Sequence, residues 1–197
     1  MRNLEHGKPK LPIAAVVVAL VVAAVLAGAA LFGPGRSTSY TGSAGNPSIG
    51  TTVTLAPAAE RPTAEPLGFA DADGRALTLA DFRGHAVLVN LWATWCGPCV
   101  AEMPALDALE TALGGPRFAV LAVSLDRGGI ATAKAWLERH HLGHLRAFAG
   151  DPGKFPDALL PTSFLIDAEG RVAWRGLGAR NWSDPRIQAE IAKLTAE

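Results

Sequence analysis

The sequence of 197 residues has little of several things. It holds two cysteines, two methionines and one tyrosine, and its 18 basic and 18 acidic side chains cancel. Without a basic surplus, the composition gives no support to a nucleic-acid or polyanion partner. The cysteines, Cys96 and Cys99, stand too close together to staple distant segments, as disulfides of small exported domains do. A bridge between them closes a loop too short to restrict the unfolded chain much. Internal repeats are absent. One stretch also lacks charge altogether: Ile13 to Phe32 reads IAAVVVALVVAAVLAGAALF.

At about 1.5 Å of helical rise per residue, that stretch spans about 30 Å, the thickness of a bilayer's hydrocarbon core. Arg2, Lys8 and Lys10 precede it, and only Arg36 follows closely. The positive-inside rule then keeps residues 1–12 as a cytoplasmic tail and exports everything beyond. The expectation is a single-pass anchor over 13–32 in the inner (cytoplasmic) membrane, with the remainder in the periplasm or its equivalent. A cleaved signal peptide is the rival, with AGAA as its small-residue site, although signal cores usually run about 7–15 residues. No cysteine stands directly after the run, which excludes a lipoprotein anchor. Residues 33–62 are rich in Gly, Ser, Thr, Ala and Pro and cannot offset their ordering entropy by burial. They read as a flexible linker to a domain over 63–197.

Within that domain, LGFADADGRALTLADFRGHA reads as a short strand, an Asp-Gly turn and a second short element. AVLVNLW (86–92) and RFAVLAVSLD (117–126) are near-continuous apolar runs, the mark of strands buried on both faces. GPCVAEMPALDALETAL has helical spacing with Pro98 in its first turn, and Pro104 predicts a kink. GIATAKAWLERHHL (129–142) reads as an amphipathic helix ended by Gly143, and LRAFAG as a short strand. TSFLIDAEGRVAWRG (162–176) reads as an antiparallel hairpin. SDPRIQAEIAKL reads as a closing helix capped by Ser183 or Asp184. This alternation predicts an α/β fold with a mixed central sheet.

The cysteine pair thus falls between a strand's C-terminal end and a helix's N-terminus, where ligands and catalytic groups gather in α/β sheets. Unpaired N–H groups and the helix dipole favour a thiolate there, and in such Cys-x-x-Cys contexts the attacking thiol's pKa falls to roughly 3.5–7.5. Other chemistries stay open. Zinc needs four ligands, and His140 and His144 could add two, but they lie much further along the chain than finger spacings allow. Covalent haem attachment wants a histidine where Val100 stands. A copper chaperone could use both thiols with Met103 or a histidine.

VNLWATWCGPCVAEMPAL and LPTSFLIDAEGRV, taken together with DADGRALTLADFRGHAVLVNLW and the anchor, resemble the membrane-anchored thioredoxin-like proteins of the TlpA/ResA type. The resemblance covers about residues 65 to 194. It implies a thioredoxin-like fold, a mixed central sheet flanked by helices, and thiol:disulfide exchange without metal or organic cofactor. It also implies that Cys96 is the exposed nucleophile and Cys99 the buried resolving thiol. Trp95, Gly97, Pro98, Pro161 and Thr162 would meet the substrate, Pro161 through a cis peptide bond. Glu102, three positions after Cys99 and so on the same helix face, would be a buried acid that takes the Cys99 proton. Trp92 reads as a core aromatic.

Three departures stand out. Thioredoxin carries a buried aspartate six residues before its first cysteine, and this chain has Asn90. Relatives often place a basic residue after the second cysteine, where Val100 and Ala101 stand. GDPGKFPDAL (150–159) is short where relatives commonly add a helix. The expected direction is reducing, because Gly97-Pro98 is the pair found in thioredoxin and exported compartments already hold strong oxidants. The resemblance offers apocytochrome c or a copper-site assembly protein as substrate, and a reductase outside the membrane implies a transmembrane electron donor. A disulfide oxidase or isomerase is the alternative.

Overall fold

The computed structural model describes residues 52–156 and 158–197. Its elements run β1 (Gly68–Ala70), β2 (Ala76–Thr78), β3 (Ala86–Trp92), α1 (Gly97–Leu113), β4 (Phe118–Ser124) and α2 (Gly129–Arg139). They continue with β5 (Phe148–Gly150), β6 (Thr162–Ile166), β7 (Val172–Leu177) and α3 (Pro185–Leu194). The anchor expected at 13–32 and most of the expected linker lie outside the described residues. Among the described residues no helix is long and apolar enough to cross a membrane.

The seven strands form one mixed sheet in the order β2-β1-β5-β4-β3-β6-β7. The two apolar runs supply its centre: β3 and β4 pair in parallel from Ala86 opposite Phe118 to Trp92 opposite Ser124. Every residue of β3 is buried, because strand alternation sends its side chains to two covered faces. Leu88 and Trp92, with Val120, Ala122 and Leu165, meet Met103, Leu106 and Leu109 of α1, Trp136 of α2, and Ile187 and Ile191 of α3. The crossovers β3–α1–β4 and β4–α2–β5 step the same way along the sheet. Right-handed connections therefore put α1 and α2 on the same face.

The other face, built on Val87, Val89, Leu91, Leu121, Val123 and Ile166, meets Leu67, Phe69, Phe148 and loop residues instead. All three described α-helices thus lie on one face. The β5–β6 connection, residues 151–161, must pass over β4 and β3, three strand spacings of about 4.8 Å. It does so on the helix-free face, with Phe155, Ala158 and Leu160 against the sheet. Among its described residues the one regular piece is a 3-10 turn, Pro152–Lys154, with the Asp151 side chain accepting from Gly153 N–H at 2.9 Å. The sequence's short 150–159 segment is this connection.

Two sequence expectations need correction. The segment 53–62, read as linker, packs as part of the domain. Val53 is buried, Ala56 N–H donates to Ala173 O at 2.8 Å and Val172 N–H to Pro62 O at 2.7 Å. Arg61 is buried and donates to Asp167 at 3.2 Å and to the Glu197 carboxylate at 3.0 Å. Helix α2 also stops at Arg139 rather than 142. His141, at φ 56°, takes the left-handed position that a glycine usually fills, and Leu142 N–H returns to Leu137 O at 3.1 Å, a Schellman closure. Gly143 therefore lies beyond the helix stop.

Asp167 also receives Arg171 N–H at 2.7 Å and Arg171 Nε at 2.8 Å. Arg61→Leu consequently leaves this buried carboxylate half-served rather than orphaned. Urea unfolding is expected to show a loss of about 2–3 kcal/mol, below the roughly 3–5 of a fully broken buried pair. The midpoint should fall with m unchanged. An unshifted midpoint would mean that segment 53–62 adds nothing to the domain.

Candidate active site

Strand β3 delivers the chain to the loop Ala93–Trp95, whose position is held from β4. Asp126 accepts from Thr94 N–H at 3.0 Å, Thr94 Oγ1 at 2.8 Å and Ser124 Oγ at 2.8 Å. Cys96 then caps α1, its Sγ accepting from Cys99 N–H at 3.3 Å. Gly97 and Pro98 form the exposed first turn. Proline is suited there because the N–H it lacks would be unsatisfied anyway. Cys96 and Cys99 are joined as a disulfide. Cys96, expected to be exposed, is itself buried, at 7% against 0% for Cys99, because the loop and the disulfide cover it; it is the less covered sulfur and so the one an incoming sulfur meets. Trp95 beside it is 72% exposed.

Strand β6 starts opposite Leu91, with Thr162 as its partner. Pro161 therefore stands at the end of β3 where the cysteine loop departs, and the Leu160–Pro161 bond is cis. Both Pro161 and Thr162 are buried. The Thr162 hydroxyl donates to Leu159 O, so what it offers beside the site is backbone rather than a free hydroxyl.

Glu102, one turn past Cys99, is 3% exposed and is not a surface residue of the helix. Its Oε1 accepts from Asn90 Nδ2 at 2.7 Å, and its Oε2 from Arg180 N–H at 2.9 Å and Trp182 Nε1 at 3.0 Å. Asn90 Nδ2 also donates to Ser163 Oγ at 3.0 Å. Burial pushes the Glu102 carboxyl above the usual glutamate range, and the Arg180, Asn90 and Trp182 donors only partly offset it. A buried acid whose neutral form is favoured, on the face of the buried thiol, is equipped to accept that thiol's proton.

The sequence pointed to Cys96, Cys99, Glu102 and Pro161, and the fold brings them to one end of the sheet. It did not point to Arg180, Trp182, Ser163 or Asp126. The only available signal was a lone tryptophan in the polar stretch GARNWSDP. Trp92 is fully buried in the core as expected. His140 stacks on Trp136 at 3.8 Å and His144 bonds Asp107 at 2.9 Å, so both histidines have partners away from the cysteines. Among the described residues no group of three or more His, Cys, Asp or Glu side chains is placed to hold a metal ion.

The redoxin family model matches residues 51–191. The thiol-disulfide oxidoreductase ResA of Bacillus cereus is 30% identical over 128 residues, 64% of this chain and 72% of that protein. ResA of Bacillus thuringiensis is 33% identical over 139 residues, with the same shares. Among solved structures, the Chlorobium tepidum protein assigned as thiol:disulfide interchange protein DsbE superposes with a TM-score of 0.53. It is 25% identical and covers 73% of this chain and 99% of its own. A secreted thiol-disulfide isomerase from Corynebacterium glutamicum, at TM-score 0.60 and 21% identity over 73% of this chain and 92% of its own, shares the fold. With the paired cysteines at the head of α1, the chain belongs to the redoxin family as a TlpA/ResA-type thiol:disulfide oxidoreductase.

Proposed function

We propose that this oxidoreductase works as a reductase of selected protein disulfides on the outer side of the cytoplasmic membrane, held there by residues 13–32. The observation that carries the reading is the pairing of Cys96, the less covered sulfur, with a fully buried Cys99 and a buried acid one turn further on. Such a site favours completing the exchange over holding a mixed disulfide. The Gly97-Pro98 pair and the charge-free run Ile13 to Phe32 support direction and address. Candidate substrates are apocytochrome c before haem attachment and cysteines of copper-site assembly proteins, with a membrane-embedded donor returning electrons to the pair.

The test is the reduction potential of the Cys96/Cys99 couple, poised against glutathione and read by thiol alkylation. A value near or below thioredoxin's, about −270 mV, is expected. A value near that of DsbA, about −120 mV, would overturn the reductase in favour of an oxidase. The address is checked separately by alkaline carbonate washing of membranes, which should leave the full chain in the pellet. A soluble species beginning near residue 30 would replace the anchor by a signal peptide.

A further inference from the structure

Strand β7, the last of the sheet, carries Gly176 inside it. A glycine within a strand weakens it and often marks the close approach of another group. Gly176 pairs with Ser163 of β6, and Ser163 with Asn90 of β3, so the three form one row across the sheet. Asn90 joins that row to Glu102 on α1, donating to Glu102 and to Ser163. At the end of the row the side chain is missing and its room is taken. A Cβ at position 176 would collide with the end of the Trp174 ring and with the Arg180 guanidinium. The Trp174 ring therefore lies back over Gly176. The Arg180 guanidinium stands over that ring, 4.7 Å from its centroid, and the Trp182 ring meets it edge-on with centroids 6.2 Å apart. Arg180 N–H and Trp182 Nε1 are the two donors to Glu102 Oε2. One tryptophan thus contacts the side chains of both residues that serve one carboxylate oxygen. Hydrogen bonds do little to fix the guanidinium itself. Arg180 Nε is buried with no partner among the described residues, and Nη2 reaches Leu177 O only at 3.5 Å.

We infer that Trp174, seated over Gly176, is a positioning residue for the second half of the exchange: it holds Arg180 and Trp182 where both donate to Glu102, and so keeps that carboxyl able to take the Cys99 proton. The inference rests on Glu102 being the acceptor of that proton. Burial alone favours the neutral acid, which has no site left for a proton. The two N–H donors and the Arg180 cation act the other way, because each favours the carboxylate. Around Glu102, its own helix presents Cys99, strands β3 and β6 present Asn90 and Ser163, and α3 adds Ile187 and Ile191 to the same core. Arg180 is the cation that bears on it. A purely structural role for Trp174 would be to cover an edge-strand glycine, as aromatic side chains do in other sheets. The two roles differ in what they do to proton transfer.

The test uses prereduced full-length protein and the aromatic disulfide dithiobis(nitrobenzoate), whose two halves absorb once released. Cys96 thiolate attacks one sulfur of the probe and releases the first thionitrobenzoate. Cys99 gives its proton to Glu102, attacks Cys96 and releases the second, leaving the protein disulfide, so two electrons pass to the probe. Stopped flow between about pH 5 and 8 reads the two releases separately. In Gly176→Ala the pH midpoint of the second release is expected to rise by about one unit, making it about tenfold slower at pH values below that midpoint. The atoms that the new methyl meets are side-chain ends able to move, so the stack is displaced while the fold is kept. Trp174→Leu should move the midpoint the same way. Trp174→Phe, which keeps a ring for the guanidinium and for Trp182, should restore it. Unmoved midpoints in Gly176→Ala and Trp174→Leu, whatever their urea stability, would overturn the inference and leave Trp174 as a cover for the strand. So would equal slowing of both releases at every pH, the mark of a general disturbance. A wild-type second release with no pH limb, matching Glu102→Gln, would remove Glu102 as the proton acceptor and the inference with it.

Discussion

Cys99→Ser protein is expected to accumulate a covalent complex with its disulfide substrate, joined through Cys96, and to stop turning over. The first half of the reaction needs only Cys96: its thiolate attacks a substrate sulfur, the other substrate sulfur leaves, and a mixed disulfide forms. Cys96 is the thiol that a partner can reach, being 7% exposed where Cys99 is 0%. It also caps the helix, where the first-turn N–H groups stabilise its thiolate. The second half needs the neighbour to attack Cys96 from within. Serine in its place has no sulfur with which to do so. Non-reducing electrophoresis followed by mass spectrometry should find the adduct with Cys99→Ser and none with Cys96→Ser. The reverse pattern would exchange the two roles. Tight binding of copper by the reduced pair, with no disulfide reduction, would replace the enzyme by a metal carrier.

Glu102→Gln is expected to slow that second half about 10²-fold while sparing the first attack, a typical loss when a positioned base is removed. Cys99 is fully buried, so forming its thiolate is opposed by desolvation, and a group inside must receive the proton. Asn90 occupies the place of an acid in this network but offers Glu102 only its amide N–H, at 2.7 Å. Because burial raises the Glu102 carboxyl, its base form fills in as pH climbs through that raised value, and resolution should accelerate over the same interval. The glutamine variant should lack this limb. Stopped-flow release of substrate thiol between about pH 5 and 8 would show it, and superimposable profiles would reduce Glu102 to a packing role. Stability adds an independent reading. A folded carboxyl with a raised pKa binds its proton more tightly than the unfolded chain does. Its contribution is therefore full below the unfolded value and declines as pH rises through the folded one. Glutamine removes that slope and places an amide donor against an N–H donor, at a cost of about 1–3 kcal/mol. The wild type's advantage should then be largest in acid and narrow as pH rises through the folded value.

How much of this could be seen in the sequence depended on how far apart the partners were. Strands β3 and β4 and helix α1 were legible because local apolar spacing and the Cys96-Gly97-Pro98-Cys99 turn determine them. Glu102 was legible because one helical turn links it to Cys99. Its donors were not, since Arg180 and Trp182 lie 78 and 80 residues away in a stretch with no periodicity. Asn90 read as a missing acid, whereas the fold uses its amide to join Glu102 on α1 to Ser163 on the neighbouring strand β6. Segment 53–62 read as linker for the same reason. Its composition is poor in large apolar groups, and the arginine that seats it finds partners 106 and 136 residues on. Single-chain pattern cannot see such pairs. The stop of α2 failed differently: Gly143 is the obvious breaker, but His141 accepts the left-handed backbone two residues sooner.

The carboxylate of Glu197 gripping Arg61 has a consequence for how the domain ages. The two margins of the described fold are fastened to each other, so neither frays independently. A cut after α3 that carries Glu197 away takes one counter-charge from Arg61, while Asp167 and Ala56 O keep hold of the guanidinium. The strip from Val53 to Pro62 is loosened but stays seated, and the flank of β7 beside it becomes more open to endoproteases. Damage at one margin is thereby felt at the other, while the cysteine loop is fastened separately, through Asp126.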